Sequence, residues 1–192
     1  GGLQKWSRVV DFGNGAGSNN IVLANEGTTN NLVLSVRVAS AEQHLTAEKA
    51  LQTGVWMHVA ATIDAKGNAT LYKNGKALKT GAVKLPRTIA RKNNYIGRSN
   101  WASDGYFKGK MDEVRLWNYP RSATELKTKS HHRLTGEESG LLGYWPCRRG
   151  FGCSLDDLCG LHNGILHGAK WQAPKVSKNA ARVAGVVLNG KD

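Results

Sequence analysis

The stretch VWMHVAATIDAKGNATLYKNGKAL, residues 55–78, decides the fold. Its first part reads as a strand ending at Ile63. The next four residues, Asp64, Ala65, Lys66 and Gly67, join a side-chain acceptor to a residue that tolerates positive φ, which suits a tight reversal. A second strand, Ala69 to Lys73, returns to Asn74-Gly75, a dipeptide fitted to a two-residue hairpin because both of its positions need positive φ. A three-strand antiparallel meander is predicted from these residues alone.

The same grammar extends in both directions. Upstream, WSRVVDFG, IVLAN and LVLSVRV are short apolar runs separated by NGAGSNN and EGTTNN. LVLSVRV alternates with a period of two, so Leu32, Leu34, Val36 and Val38 are predicted on one face of a half-buried strand, with Ser35 and Arg37 opposite. Downstream, RTIARKNN leads to the strand NYIGR, the loop SNWASDG and then YFKGKMDEVRLWN. Ser122 and Glu125 have capping-box spacing and predict the one short helix, in RSATELKTKS. Twenty-three glycines against four prolines and two methionines agree with many turns and few helices.

With 192 residues, 40% hydrophobic and 21% charged, the chain is long enough for one ordinary packed domain and too short for a typical α/β barrel enzyme. Lys and Arg number 27 against 14 Asp and Glu, a net charge of +13. Eleven of those cations, and one acid, Asp104, lie between Lys66 and Lys110. Such a field attracts anions, but no recognition helix or nucleic-acid-binding motif accompanies it, so nucleic acid is not an expected partner. No apolar run is long enough to span a membrane, and GGLQKWSRVV lacks the apolar core of a signal peptide, so the chain is read as soluble and either mature or trimmed.

Cys147, Cys153 and Cys159 follow a C-x5-C-x5-C spacing, which is neither a zinc knuckle nor a redox pair. In a secreted protein they would form one internal disulfide and leave one thiol able to join two chains. Three reduced thiols are the alternative.

Residues GVWMHVAATIDAKGNATLYKNGK, followed by NNYIGRSNWASDGYFKGKMDEVRLWNYPRSATEL, resemble the core of a laminin-G-like, concanavalin A-type jelly-roll module over residues 6–127. GLLGYWPC and DLCGLHNGILHGAKW resemble the opening of the same kind of module, and AGVVLNGKD an early strand of it. The resemblance implies an all-β fold, a two-sheet antiparallel jelly-roll sandwich with one short helix. Two arrangements fit: a piece of a tandem array, or one domain over 1–192, rearranged so that 141–192 complete the sandwich begun at residue 6. The second is expected, because it covers sheet edges and core that would otherwise face water.

Catalysis is not expected. Glucanases on this scaffold alternate carboxylates along one strand so that acid and nucleophile meet about 5 Å apart, whereas Asp112 and Glu113 are neighbours in sequence and point to opposite faces. His131-His132 have no HExxH companion, His58 reads as a packing residue beside Trp56, and no Ser-His-Asp order or phosphate loop is visible.

Carbohydrate binding fits better. A sugar site on a sandwich joins an aromatic plate to polar loop groups, and Asn94, Arg98, Asn100, Trp101, Asp104 and Tyr106 supply both, with core packing as the competing role of the two aromatics. Lys84, Arg87, Arg91 and Lys92 form a candidate patch for sulfated or sialylated glycans, while Lys66, Lys73, Lys76 and Lys79 read as solvated hairpin residues.

The resemblance implies a lectin-like role with glycans or glycoproteins as partners, extracellular location, and no required cofactor. A structural Ca2+ is the ion such modules take, with Asp112 and Asp192 as its candidate ligands and Asn14, Ser18, Asn19, Asn20, Asn25 and Glu26 as a second oxygen-rich cluster. Set against the family, one or two strands are absent, so pairing between chains would supply an edge, and with the odd cysteine this predicts a homo-oligomer. A protein-binding adhesion module without sugar affinity is the alternative function.

Overall fold

The computed structural model describes residues 3–130, 132–172 and 185–188. The chain divides into two compact units, Gly1–Phe107 with Tyr119–His132, and Lys108–Asn118 with Arg133–Asp192. The first holds β1 (Arg8–Gly13), β2 (Ile21–Asn25), β3 (Leu32–Val38), β4 (Ala41–Ala47), β5 (Val59–Ile63), β6 (Asn68–Lys73), β7 (Lys76–Ala82), β8 (Asn93–Ile96) and the helix α1 (Ala123–Lys129). The second holds β9 (Gly109–Met111), β10 (Val114–Trp117), β11 (Leu141–Trp145), β12 (Ser154–Leu155), β13 (Gly164–Ile165), β14 (Ala169–Gln172) and β15 (Gly185–Leu188). Every strand pairing is antiparallel, and the fold is all-β with a single short helix among the described residues.

The predicted meander is present as β5, β6 and β7. Asp64 builds its first turn: the carboxylate accepts from the backbone N–H of Lys66 and Asn68 at 2.8 and 2.9 Å and from Asn68 Nδ2 at 2.8 Å. Asn74 and Gly75, at φ 51° and 75°, make the second. A side chain at Gly75 would also meet Lys127 of α1, since an added Cβ would lie 2.5 Å from the Lys127 Cα. The predicted cap of α1 forms, with Glu125 N–H donating to Ser122 Oγ at 3.2 Å and Ser122 N–H to Glu125 Oε2 at 2.8 Å.

This three-stranded sheet packs over a five-stranded sheet of order β4-β3-β2-β1-β8. Leu32, Leu34 and Val36 of β3 meet Leu71 and Ala69 of β6 in the shared core, and each fully buried aliphatic side chain there contributes about 1.5–3 kcal/mol. The expectation of a half-buried β3 needs correcting: residues Leu32 to Val36 are buried on both faces. Val33 closes a second small cluster with Val22 and Ala24 beneath Trp6, and Ser35 donates to Glu42 Oε1 at 2.6 Å.

In the second unit β9 and β14 flank β15, and β10 pairs with β11 with Val114 opposite Trp145. Segments 109–111 and 114–117, inside the stretch read as the module core, thus pair with strands from the C-terminal portion. All three cysteines are free thiols, so the internal disulfide expected of a secreted chain is not formed. Cys147 is buried, and burial, with the carboxylates of Asp112 and Glu113 nearby, pushes its thiol up to about 12. No helix among the described residues is long and apolar enough to cross a membrane.

Candidate functional site

The loop after β8 is held from beneath by a buried charge network. Arg8 lies between two indoles, its guanidinium carbon 5.5 Å from the Trp6 ring and 5.4 Å from that of Trp101. Its Nη2 donates to Asp104 Oδ2 at 2.7 Å, and its Nε lies 3.6 Å from Asp11 Oδ2. Asp11 is fully buried; it accepts from Asn20 Nδ2, Asn100 Nδ2 and the Asn100 backbone N–H, each at 2.9 Å. Asp104 also accepts from Ser99 Oγ at 2.8 Å, and Ser99 Oγ in turn accepts from Trp101 N–H at 3.0 Å. Asn100 and Asp104, two of the predicted ligand residues, therefore shape the loop with their polar atoms, and Trp101 is half-buried against Arg8.

Other predicted residues reach the surface beside this frame. Tyr106 is 48% exposed, Arg98 is exposed over the Tyr95 ring at 4.7 Å, and Asn94 is exposed while donating to Arg91 O at 2.7 Å. The basic segment is tied to the β1–β2 loop: Asn14 donates to Ala90 O and accepts from Lys92 N–H, and Arg91 Nε donates to Asn19 O at 3.0 Å. These bonds tie the loop 14–20 to the segment 87–92, and Asn100 Nδ2, donating to Asn93 O at 3.1 Å, joins the loop 99–106 to β8. Lys84, Arg87 and Lys92 are exposed, and Arg91 is half-buried.

Asn25 and Glu26, two members of the oxygen-rich cluster proposed for calcium, are committed to structure. Asn25 donates to Gln4 O and Gly27 O and accepts from Ser7 Oγ, and Glu26 accepts from Asn31 Nδ2 and Thr46 Oγ1. Among the described residues no three His, Cys, Asp or Glu side chains converge as a metal cluster, and His131 and Asp192 lie outside the described residues.

In the second unit Glu113, at φ 57°, separates β9 from β10. Its carboxylate is bound by Arg115, by Arg148 and by Tyr144 Oη, the last at 2.9 Å to both oxygens. Burial, and secondarily the Glu113 charge, push the Asp112 carboxyl up to about 7 against the pull of Arg148 and Arg133.

Because its folded pKa lies above the unfolded value of 3.8, Asp112 costs the fold nothing at pH below 3.8, costs progressively more up to about 7, and costs a constant amount above that. Asp112→Asn should raise stability at pH 8 by about 1–2 kcal/mol, after discounting for partial solvent screening, and leave it unchanged near pH 3.5. Thermal melts across that range check this. Equal destabilisation at both ends would refute it.

Residues 1–127 match the laminin G-like family of the concanavalin A-like lectin/glucanases superfamily. The chain belongs to that superfamily. As a superfamily member it is similar in fold to a candidate carbohydrate-binding protein from Bacteroides ovatus. That likeness has TM-score 0.61 and 22% identity, over 85% of this chain and 49% of that one, so the chain spans about half of its relative's length. An S-layer domain-containing protein from Clostridium thermocellum is 28% identical over 65% of this chain and 62% of its own, with a TM-score of 0.37. No curated protein matches this superfamily member.

Two load-carrying groups of this laminin G-like chain were not singled out by sequence reasoning. Arg8 and Asp11 sit three apart on a strand, where strict alternation puts them on opposite faces. The register shift between Arg8 and Val10 turns them to the same one. Asp157, with a fully buried side chain, accepts from Tyr144 N–H at 2.8 Å and from Cys159 and His162 N–H at 3.0 Å, and its own N–H donates to Asn163 Oδ1. Its signal was present as an Asp ahead of Cys159-Gly160 and Asn163-Gly164, the composition of a side-chain-closed loop.

Proposed function

We propose that this chain is a non-catalytic, lectin-like module that binds glycans, acidic ones above all, through the loops at the β8 edge of its first unit. One observation carries the reading. The loop 99–106 is fixed from beneath by Arg8, Asp11 and Asp104, while Tyr106, Arg98 and Asn94 lie on the surface of a region that also holds Arg87 and Lys92. A half-exposed phenol ring offers a plate for the apolar face of a pyranose, and guanidinium groups meet carboxylate or sulfate substituents.

Superfamily membership and the fold likeness to a candidate carbohydrate-binding protein support the reading. The non-catalytic part is supported by Glu113, whose two oxygens are engaged by Tyr144, Arg115 and Arg148. Extracellular glycans or glycoproteins are the partners in this proposal. No cofactor is needed, and a homo-oligomer would turn weak single sites into useful avidity.

An array of neutral, sulfated and sialylated glycans at physiological salt, with and without EDTA, tests this. Acidic glycans should bind in a salt-sensitive, EDTA-insensitive manner, and Tyr106→Ala or Arg98→Ala should weaken binding about tenfold. An array without a binder overturns the proposal. Adhesion to a protein ligand that survives Tyr106→Ala and ignores competing sugars would assign this face to protein recognition instead.

A further inference from the structure

The second unit carries a pocket of its own, about 340 Å³ in volume. Arg133, Arg148 and Arg149 line it together with one acid, Asp156. Its other walls are Leu134, Pro146, Leu158 and Tyr144. Arg148 is bound to Glu113 through Nη2, and its buried Nε has no hydrogen-bond partner among the described residues. Arg149 donates to Asp156 Oδ1 at 2.7 Å and covers the Phe151 ring at 5.1 Å.

Three guanidinium groups and one carboxylate thus line the pocket among the described residues, and Arg148 shares Glu113 with Arg115. Bonds from Ser154 and Arg149 outweigh burial and hold the Asp156 carboxyl below its usual range, so it stays an acceptor at neutral pH.

Each part of this lining selects a different part of a ligand. Guanidinium groups favour an oxyanion, most strongly a planar carboxylate met by a two-pronged fork. An ionised carboxylate beside them repels a bare anion but accepts hydrogen bonds from hydroxyl groups. Apolar walls and a volume within the range of small-molecule pockets exceed what an inorganic anion fills. The geometry points to a second ligand site, separate from the β8-edge loops, for a sugar acid: a hexuronate unit whose carboxylate meets Arg133 and Arg149 and whose hydroxyls meet Asp156.

Titration of the full isotope-labelled chain with glucuronate, glucose or inorganic sulfate, followed by amide NMR, tests this. Glucuronate should shift signals of Leu134, Tyr144, Leu158 and their neighbours and bind at least tenfold tighter than glucose or sulfate. Arg133→Ala and Arg149→Ala should each weaken it about five- to tenfold, with Arg133→Lys recovering part of the loss. Tyr106→Ala, which tests the first unit's loops, should leave these shifts unchanged, so either site can fail without the other. Equal affinity for glucose overturns the carboxylate assignment. Equal affinity for sulfate reduces the site to a simple anion pocket, and shifts confined to the first unit remove it altogether.

Discussion

Replacing Arg8 by alanine lowers the free energy of unfolding by about 3–5 kcal/mol, because it leaves two buried carboxylates facing each other without their cation. Asp11 is fully buried, the Asp104 side chain is 8% exposed, and the guanidinium is the cation that lies between them. Denaturant unfolding followed by tryptophan fluorescence reads the loss, since Trp6 and Trp101 flank the missing group. Arg8→Lys recovers little: a point charge cannot stack on both indoles while donating to Asp104. The triple change Arg8→Met, Asp11→Asn, Asp104→Asn returns a good part of the stability, as buried ion clusters replaced whole commonly do. A loss under about 1 kcal/mol for Arg8→Ala would show that water reaches the carboxylates and that the loop 99–106 is not fixed from beneath. In the proposed reading, Arg8→Ala also weakens glycan binding at the β8 edge without removing any group that touches the sugar.

Asp157→Ala is the second large effect, of about 3–5 kcal/mol, and it falls on the other unit. Burial alone would raise this carboxyl, but the backbone N–H groups of Tyr144, Cys159, His162 and Leu161 outweigh burial and hold it below the usual carboxylate range. Its contribution is thus fully present above pH 4 and fades as pH falls through the lowered value. Removing the side chain strands those donors and frees the turn between β12 and β13. Hydrogen exchange gives the sharpest reading: amides of Tyr144, Cys159, Leu161 and His162 lose protection by about a hundredfold, while those of Leu32 to Val36 keep theirs. Uniform loss across both units would mean that they unfold as one, and unchanged protection would mean that the loop is held by other bonds.

The strands of the meander were legible because their turns are written in residues with few other uses. Asp64, Gly67 and Asn74-Gly75 reverse the chain where the sequence says, and Ser122 with Glu125 starts the helix. The aromatic and polar composition of loop 99–106 was also legible, but the division of labour within it was not. Whether Asn100 and Asp104 point outward or inward depends on Asp11 and Arg8, about ninety residues earlier in the chain, and on a bulge that alternation cannot reveal. The second-face burial of Val33 escaped for a similar reason: it is covered by Trp6, which reads as the start of the strand run WSRVVDFG but lies ahead of β1.

Strand order in the second unit has a consequence for biogenesis. On the ribosome the Gly109–Met111 segment emerges well before Gly185–Leu188, the strand it pairs with. Met111, 6% exposed in the finished fold, and its bare hydrogen-bonding edge must wait through all the intervening synthesis. That interval is when a nascent chain of this design most needs shielding by chaperones, and the wait is set by connectivity alone.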